Sequence, residues 1–402
     1  MKGADIMDRE YILSNVAPRI VELITSHIRT TADRKERWRY VKKEIEPQLA
    51  ELIGLDPDWP VKAYQLVQFD IDESRGLCLL NYTPGAHNIL HDIDEGNGWT
   101  LVMRQLRGLL FSFGEVGDSS AIQLVSCGFE KFFNRGEVPE TRDENLPFDS
   151  PILLRAKEDG AMVEFFEHQG TTSATTRGRI NTLYVEPAID LFGQQTLELA
   201  KRSASALGVD LLCIVTEFIH PMSKVYVEYN DWHGIYLLAA YDTSGRKVPN
   251  ELLKRLYDSC EALGHLRFPE ERVTTLRHMA TELKDRTINN REGWVAHVGD
   301  MMVKLKYETY IGLMVAEKLS YRYVMSQMIN GRGQYMFQTL PEELREHAWF
   351  MVQELKDTVT ANDSYWSLYS FHSEQERGRD SFRQICRNFW RELETPIRSG
   401  NI

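Results

Sequence analysis

Three short elements of the chain hold the residue types that phosphoryl transfer requires. Lys157 opens a Lys-x-Asp-Gly sequence, Glu292 opens a Glu-Gly pair, and Lys304 and Lys306 are separated by one residue. A lysine amine can act as a nucleophile, a carboxylate can bind a divalent metal, and neighbouring ammonium groups can bind a phosphate chain. Together these residue types could supply the nucleophile, the metal ligand and the cations of one phosphoryl-transfer site.

Each element also has a simpler interpretation. Asp159-Gly160 and Glu292-Gly293 are ordinary turn signals between strands. Lys304 and Lys306 would lie on one face of a strand, about 6 to 7 Å apart, and such a pair is also common on a solvated strand edge. Taken together and in this order, the elements favour a phosphate site over three unrelated surface features.

Glu217 is a further candidate because of the strand that carries it. The run Leu211–Phe218 is apolar apart from Thr216 and Glu217. A carboxylate in such a strand requires a partner such as a metal or a hydroxyl pair, because its unpaired burial is unfavourable. An exposed acid at the strand end is the alternative.

Short apolar runs predict strands between residues 62 and 315. Two helices interrupt them, about Gln194–Leu207 and Asn250–Leu263, and each is followed by a glycine that can end a helix. Many strands with few helices predict an α+β domain with antiparallel sheets. The predicted strands are Ala63–Phe69, Gly76–Tyr82, Gly108–Phe113, Ile122–Ser126, Ile152–Ala156, Met162–Phe166, Leu211–Phe218, Lys224–Tyr229, Ile235–Tyr241, Trp294–Val298 and Met301–Leu305.

The two ends of the chain are predicted to be helical. Apolar residues recur at helical spacing in residues 1–60, and two apolar stripes, Leu344–Leu355 and Phe382–Trp390, follow the strand-rich region. We therefore divide the chain into a helical N-terminal segment over residues 1–60, a strand-rich domain over 61–315 and an all-helical C-terminal domain over 316–402.

A basic stretch lies within the N-terminal segment. Six basic residues between Arg34 and Lys43 are interleaved with Trp38 and Tyr40. The first interpretation is a solvated helix face. The alternative is a contact to an RNA backbone through Arg34, Arg37 and Lys42, because aromatic surface beside positive charge is typical of single-strand binding.

Composition restricts the class of protein. The net charge is −12 and the pI about 5.5, which disfavours a protein that coats long nucleic acids and by itself favours a small-molecule enzyme. Five scattered cysteines form no C-x-x-C pair, so a reducing cytoplasm suits the chain better than an oxidising compartment. No apolar run reaches the length of a membrane span, and no secretion signal is visible at the N-terminus.

Residues 76 to 315 resemble the RNA ligase 1 type of T-even phages, the tRNA-repair ligases among the covalent nucleotidyltransferases. Glu130-Lys131-Phe132-Phe133-Asn134 is similar to a distinctive Lys-Phe-Phe-Asn element of that family. Thr176-Arg177-Gly178 stands where the family more often has Lys-Gly-Ser. The other similar segments are Leu106–Phe111, Lys157–Gly160, Glu217–Pro221, Ile235–Leu238, Glu292–Val295 and Lys304–Lys306, followed by an aromatic residue at Tyr310.

The resemblance implies an adenylyltransferase domain over residues 61–315 and a reaction in three steps. Lys157 attacks the α-phosphorus of ATP, the AMP passes to the 5′-phosphate of an RNA end, and a 3′-hydroxyl displaces the AMP. The positive charge of Lys304, Lys306 and a metal would favour the neutral amine of Lys157 and stabilise the phosphoryl oxygens.

The resemblance also implies roles for individual residues. Asp159, Glu217 and Glu292 would hold Mg²⁺ or Mn²⁺, directly or through water, and Asp159 would orient Lys157 or a metal-bound water. Tyr236 or Phe133 would flank the adenine, and Tyr310 would contact RNA. The nucleotide would contact Arg107, Lys131, Lys157, Glu158, Gly160, Arg177, Glu217, Tyr236, Glu292, Lys304 and Lys306.

The expected partner is RNA with 5′-phosphate and 3′-hydroxyl ends, nicked tRNA among them, bound by a monomer in the cytoplasm, which is the host's if a phage encodes the chain. No membrane partner is expected. Two alternatives remain: a DNA ligase or mRNA-capping guanylyltransferase of the same superfamily, and an inactive module that binds RNA ends. Nucleotide preference would separate the first, and the presence of every charged motif residue disfavours the second.

Overall fold

The structure, a computed structural model, describes residues 8–361 apart from 27–38, 60, 93–97, 115–120, 224–225, 320, 330–331, 334–335, 338–339 and 341. Thirteen strands of this part form three sheets. The strands are β1 Val67–Asp72, β2 Leu77–Tyr82, β3 Arg107–Ser112, β4 Gln123–Ser126, β5 Phe133–Asn134, β6 Ile152–Lys157, β7 Ala161–His168, β8 Thr171–Thr176, β9 Leu211–Ile219, β10 Gly234–Asp242, β11 Glu271–Thr274, β12 Gly293–Val298 and β13 Met301–Lys306.

The first sheet has the order β1-β2-β3-β4 and is antiparallel throughout. The N-terminal helices pack against it, because Ile20 of Ala17–Thr25 and Leu49 of Glu46–Leu52 share one core with Leu79 of β2. The predicted division near residue 60 therefore separates elements that share a core, and it stays a prediction.

The second sheet has the order β10-β9-β7-β8 and carries Glu217 on β9. The helices Val185–Phe192, Thr196–Ala206 and Asn250–Ser259 pack on it through a core that includes stacked rings of Phe165 and Phe192. Both helices predicted here are confirmed, although the second ends at Ser259 and continues as a short 3₁₀ turn, Glu261–Leu263.

The third sheet has the order β11-β6-β12-β13-β5, antiparallel except for the last pair. Its core contains Trp294 and Tyr307 and extends to the helices Leu276–Glu282, Glu308–Lys318, Tyr321–Ile329 and Glu342–Ala361. The expected α+β fold with antiparallel sheets and helical flanks is thus confirmed for the described residues. The predicted stripe Phe382–Trp390 lies outside them.

The predicted strand Ala63–Phe69 is confirmed only from Val67 onward, and the predicted strand Lys224–Tyr229 is wrong for its described residues. Residues Ala63–Leu66 are helical because the carboxylate of Glu46 accepts hydrogen bonds from the backbone N–H groups of Ala63 (2.7 Å) and Tyr64 (3.1 Å). Residues 226–229 form no strand, because side chains from distant positions hold their backbone groups. The sequence also gave no indication of the strands β5, β8 and β11.

Other helices of the described residues are short. They are Arg9–Tyr11, which leads through a π-helical turn Ile12–Val16 into Ala17–Thr25, the second π-helical turn Val41–Ile45, and Ala86–Asp92, Leu101–Gln105, Pro139–Thr141 and Asp143–Asn145. No helix in the described part of the chain combines the length and apolarity that a membrane span requires.

Candidate active site

The register of the third sheet brings three distant sequence elements side by side. Gly293, at the start of β12, pairs with Lys157 at the end of β6 and with Lys306 at the end of β13. We call Lys157, Gly293 and Lys306 the lysine rung. Because the nucleophile candidate and one lysine of the Lys-x-Lys pair flank a single glycine, the spacing in sequence becomes proximity in space.

Glu292 contacts both lysines of the rung. Its Oε1 atom lies 2.8 Å from Lys157 Nζ and 3.3 Å from Lys306 Nζ. The Glu292 side chain is 4% exposed, whereas that of Lys157 is 22% exposed. One buried carboxylate therefore balances two ammonium groups, and the more accessible of these is the candidate nucleophile.

Two glycines of the site are required by close backbone approach. A Cβ atom at Gly293 would lie 2.0 Å from the carbonyl oxygen of Leu305, and one at Gly160 would lie 2.6 Å from that of Phe218. A side chain at either position would force the strands apart. Gly160 also donates its N–H to Glu217 Oε1 at 3.1 Å, so it fixes an acid of the site.

Asp159 uses both carboxylate oxygens to hold neighbouring groups. Oδ2 accepts from the backbone N–H of Tyr226 (2.6 Å) and of Val227 (3.1 Å), and Oδ1 accepts from the hydroxyl of Tyr310 (3.0 Å). Burial raises the pKa of Asp159, and the charge of Glu292 adds to that shift. The structure thus shows Asp159 holding Tyr226, Val227 and Tyr310, whereas its orientation of Lys157 or a metal-bound water stays a prediction.

Tyr310 lies in the interior of the site. It is 5% exposed, and the ammonium group of Lys306 lies 5.5 Å from the centre of its ring. Its hydroxyl is committed to Asp159. In this structure Tyr310 contacts two residues of the site, Asp159 and Lys306, and the expectation that it contacts RNA stays a prediction.

Glu217 has an environment that opposes its ionisation. Burial raises the pKa of Glu217 to about 7, with the charges of Glu292 and Asp159 adding to the shift and that of Lys157 opposing it. Its Oε1 accepts from the Gly160 N–H. A carboxyl group that titrates near neutrality beside other carboxylates would be stabilised as an anion by an added cation.

The three predicted metal ligands do not form a closed protein site. Among the residues that the structure describes, no group of three or more His, Cys, Asp or Glu side chains is arranged to hold a metal ion. Asp159 accepts three hydrogen bonds and keeps fewer free acceptor sites than Glu217, so the three-carboxylate ligand set stays a prediction. One or two carboxylates, completed by phosphate oxygens and water, are the usual protein share of a Mg²⁺ site. The donor set fits a divalent ion that is bound together with a nucleotide.

A cavity of about 590 Å³ opens beside Lys157. Tyr236, 8% exposed, forms part of its wall. Glu158 also lines it and accepts from the hydroxyl of Tyr229 at 3.2 Å, and burial raises the pKa of Glu158. The volume lies within the usual range for a small-molecule site.

Of the two aromatic residues expected near an adenine, Tyr236 lies at this cavity. Phe133 is buried elsewhere, with the Lys131 ammonium 4.8 Å from its ring centre.

A second group of cations surrounds Tyr82. Although burial raises the pKa of Tyr82, four positive charges outweigh this effect and lower it to about 8; they belong to Arg177, Lys131, Arg107 and Lys304. We call these five residues the Tyr82 cluster. Lys131 is buried and lies 3.6 Å from Glu137 Oε1, while Arg107 and Lys304 both lie over the ring of Phe132, at 5.4 and 5.3 Å.

The two groups of cations are connected by β13. Lys304 belongs to the Tyr82 cluster and Lys306 to the lysine rung, and the two residues are separated by one position on the strand. Alternate side chains of a strand point to the same face about 6 to 7 Å apart. The cations predicted from sequence are therefore divided between two ends of one site.

The RNA-contact prediction can be placed only in part. Arg34 and Arg37 lie outside the described residues. Lys42 is exposed in the helical turn Val41–Ile45, and its ammonium group lies 5.0 Å from the centre of the Tyr64 ring. The prediction for this stretch remains untested.

Several lining residues of the cavity were not predicted. They include Tyr229, Arg267 and Arg291. Arg291 pairs with Glu270 at 2.9 Å, and its place next to Glu292 was the one available signal. Tyr229 and Arg267 reach the cavity through a loop and an irregular segment, for which hydrophobic periodicity gives no information.

Comparison with known proteins gives one family. A family model described as RNA ligase matches residues 105–310, just over half of the chain. A Thermovibrio ammonificans protein assigned as an RNA ligase is 27% identical over 217 residues, which are 52% of this chain and 53% of that protein. The chain therefore spans about half the length of this curated relative.

Solved structures show weaker similarity. An archaeal ATP-dependent RNA ligase is 17% identical, with 84% of this chain and 75% of that chain covered at a TM-score of 0.44. A Naegleria gruberi RNA ligase with PPi is 16% identical, covering 42% and 53%, at a TM-score of 0.33. TM-scores below 0.5 are too low to transfer any detail of the site.

Proposed function

This chain belongs to the T4 RNA ligase 1 family of RNA ligases, and from that premise we propose that it joins a 5′-phosphate to a 3′-hydroxyl of RNA through AMP carried on Lys157. The observation that carries the proposal is the lysine rung, in which Lys157 contacts Glu292 beside Lys306 at the edge of a nucleotide-sized cavity. All three motif elements fall within the matched residues 105–310.

The first step is attack by the Lys157 amine on the α-phosphorus of ATP. A nitrogen–phosphorus bond forms, the bond to the bridging oxygen breaks, pyrophosphate leaves with that electron pair, and the amine loses its proton. An oxygen of the RNA 5′-phosphate then attacks the α-phosphorus, the nitrogen–phosphorus bond breaks, and the amine takes up a proton. In the last step the 3′-hydroxyl gives up its proton and attacks the RNA 5′-phosphorus, and the bond from that phosphorus to the AMP oxygen breaks, so that AMP leaves.

The contact between Lys157 and Glu292 sets a condition for the first step. As an ammonium ion paired with Glu292 at 2.8 Å, Lys157 has no lone pair to offer to phosphorus. A bound triphosphate would compete for Lys306, and a divalent ion would compete for Glu292. ATP binding would thus release the nucleophile at the same moment as it supplies the electrophile.

The two groups of cations suit the two ends of a triphosphate. Lys306 stands beside Lys157, where the α-phosphate must lie for attack. Lys304 is one step along the same strand face, about 6 to 7 Å away, and belongs to the Tyr82 cluster. The cluster would hold the leaving pyrophosphate, and in later steps the 5′-phosphate of RNA, by preorganised positive charge.

A divalent ion would be held by Glu217 and Glu292. Mg²⁺ or Mn²⁺ would supply positive charge to the phosphoryl oxygens and complete its coordination with phosphate and water. The pKa of Glu217, raised to about 7, is the feature of the structure that favours a cation at this place.

The adenine would occupy the cavity beside Lys157, with Tyr236 in its wall. Nicked tRNA is the RNA substrate that the family resemblance favours, and its repair would be the role of the chain. A single chain suffices for every contact described here, so we propose a monomer acting in the cytoplasm, where ATP and RNA ends are present.

The deciding experiment is mass spectrometry of the protein after incubation with ATP and a divalent metal. One added AMP is expected on the peptide that contains Lys157, and GTP should give none. Lys157→Ala should abolish the adduct, whereas the matched control Lys201→Ala, which removes a surface lysine paired with Glu167 at 2.8 Å, should leave it unchanged. AMP on another lysine, or a GMP adduct in preference to AMP, would overturn the proposal.

A further inference from the structure

Trp232 and Arg267 form a stacked pair at the cavity beside Lys157. The central guanidinium carbon of Arg267 lies 3.7 Å from the centre of the Trp232 ring, which is van der Waals separation for two flat groups in contact. Arg267 and Tyr236 line the cavity, and Trp232 contacts both of them. A guanidinium with one face on an indole has its opposite face available for another planar group.

The turn that leads into Trp232 has a left-handed backbone at two residues. Asn230 and Asp231, immediately before it, have φ angles of 50° and 61°, in the left-handed region that non-glycine residues seldom occupy. A Cβ atom at Gly234 would lie 2.5 Å from Cζ2 of Trp232, so the indole rests directly on the glycine. Such backbone strain is retained where the surrounding structure fixes it, and it is concentrated at ligand sites.

Arg267 is fixed independently of Trp232. Its backbone N–H donates to the carbonyl of Ile235 at 2.9 Å, and its carbonyl accepts from Leu237 N–H at 2.8 Å. Its guanidinium opposes the rise in the pKa of Tyr236 that burial causes, and the ring of Tyr236 meets that of Trp232 edge to face at 5.3 Å. The three side chains are therefore preorganised as one wall.

We propose that the Arg267–Trp232 pair is a stacking wall for the purine base of ATP, and this inference rests on the function proposed above. The wall belongs to the cavity that also contains Lys157, so a base lying against it is attached to the phosphate that Lys157 attacks. An arginine plane on an aromatic ring is a surface on which nucleobases stack favourably.

The test is the dependence of self-adenylylation on ATP concentration. Trp232→Ala and Arg267→Ala should each raise KM for ATP roughly tenfold to a hundredfold, the range that stacking of one base provides, and change kcat less than about threefold, since uniform binding is lost. Arg267→Lys keeps the charge without the plane, so it should behave like Arg267→Ala. Arg202→Lys, on the exposed helix surface, is the matched control and should match the unmodified protein.

Calorimetric titration of ATP into the Lys157→Ala variant, with and without Arg267→Lys, measures the contribution of the stacking wall to ATP affinity, because no lysyl-AMP can form. The combined variant should bind ATP at least about tenfold more weakly, with an unchanged melting temperature. An unchanged affinity would overturn the inference, as would a normal KM in Arg267→Lys, which would reduce the role to charge. A rise in KM for RNA ends alone would assign the wall to an RNA base. Failure of the unmodified protein to form lysyl-AMP would instead contradict the proposed function.

Discussion

The lysine rung and the Tyr82 cluster have opposite electrostatic characters although they share strand β13. At the rung, Glu217 is held with a pKa raised to about 7 by burial and by neighbouring carboxylates. In the cluster, four cations lower the pKa of a buried phenol to about 8 against the effect of its burial. One end of the site therefore favours an added cation and the other an added anion, as a metal–nucleotide complex would require.

Separate replacement of Lys306 and Lys304 by alanine should have the largest effect on self-adenylylation of the changes considered. Each single alanine variant should lose about 3 kcal/mol of transition-state stabilisation in self-adenylylation, or roughly a hundredfold or more in rate, because a preorganised charge on the triphosphate is lost. Rapid-quench measurement with labelled ATP gives the rates.

The two variants should differ in how they fail. Lys306→Ala leaves the contact between Glu292 and Lys157 without its second ammonium group, so kcat should fall. Lys304→Ala acts at the distant phosphates, so KM for ATP should rise as well. Rates equal to that of the unmodified protein in both variants would mean that these lysines are only surface residues.

Glu217→Gln should show, through the pH dependence of the free energy of unfolding, whether Glu217 beside the lysine rung is ionised. The pKa of Glu217 in the folded chain is about 7, above its unfolded value. The folded state therefore holds the proton more tightly, and the native protein loses stability relative to the Gln variant as pH rises from about 4.5 to 7. Below that window the two should be equally stable. Above it the variant should gain about 3 kcal/mol, since about 2.5 pKa units correspond to about 1.4 kcal/mol each, and its melting temperature should rise by several degrees.

Thermal melts at pH 4.5 and pH 8 check this expectation, and saturating ATP with Mg²⁺ supplies its control. If a cation binds beside Glu217, the nucleotide complex should stabilise the native protein at pH 8 more than it stabilises the Gln variant. An equal difference between the two proteins at both pH values would contradict the raised pKa. A Gln variant that still responds fully to Mg²⁺ would remove Glu217 from the metal site.

The sequence grouped Lys157, Glu292 and Lys306 as one candidate phosphate site, and the strand register brings these three residues into contact. Their role at a phosphate stays a prediction. The sequence did not predict where backbone groups are held by distant side chains. The Glu46 carboxylate accepts a hydrogen bond from a backbone N–H of the helix Ala63–Leu66, and the Asp159 carboxylate accepts one from the backbone N–H of Tyr226. Residue propensity and hydrophobic periodicity therefore predicted strands where these segments form none.

The Trp232–Arg267 wall escaped prediction for a related reason. Its two members are 35 positions apart, and they meet because a left-handed turn and a glycine place the indole. No periodic pattern encodes such a contact. Lys131 illustrates the converse, since its type and motif were recognised from the sequence, whereas its burial against Glu137 could not be.

Tyr82→Phe should have a smaller effect on adenylylation, and it tests whether the Tyr82 cluster contacts phosphate. The change removes the hydroxyl and keeps the ring that meets Trp99 edge to face at 5.3 Å. Loss of one hydrogen bond to a charged group should slow adenylylation about tenfold. In the unmodified protein, ionisation of Tyr82 above a pKa of about 8 adds a negative charge among the cations, so KM for ATP should rise with pH there. The Phe variant should lose that rise, and an identical pH profile in both proteins would exclude Tyr82 from the phosphate region.

The basic stretch from Arg34 to Lys43 should have the smallest effect, and it should act on RNA alone. Replacing Arg34, Arg37 and Lys42 by Gln removes three charges from a chain whose net charge is −12. If all three contact a single-stranded RNA backbone, the slope of log affinity against log salt should become shallower by about 2, since each contact contributes about 0.7. The ammonium group of Lys42 lies near the ring of Tyr64, so Lys42→Gln tests whether that residue shares the effect on the salt slope.

Filter binding of RNA at several salt concentrations gives the slope, and self-adenylylation, which needs no RNA, serves as the internal control. An unchanged slope would leave the stretch as a solvated helix face, and a fall in adenylylation would show instead that it supports the fold of the nucleotide-binding sheets.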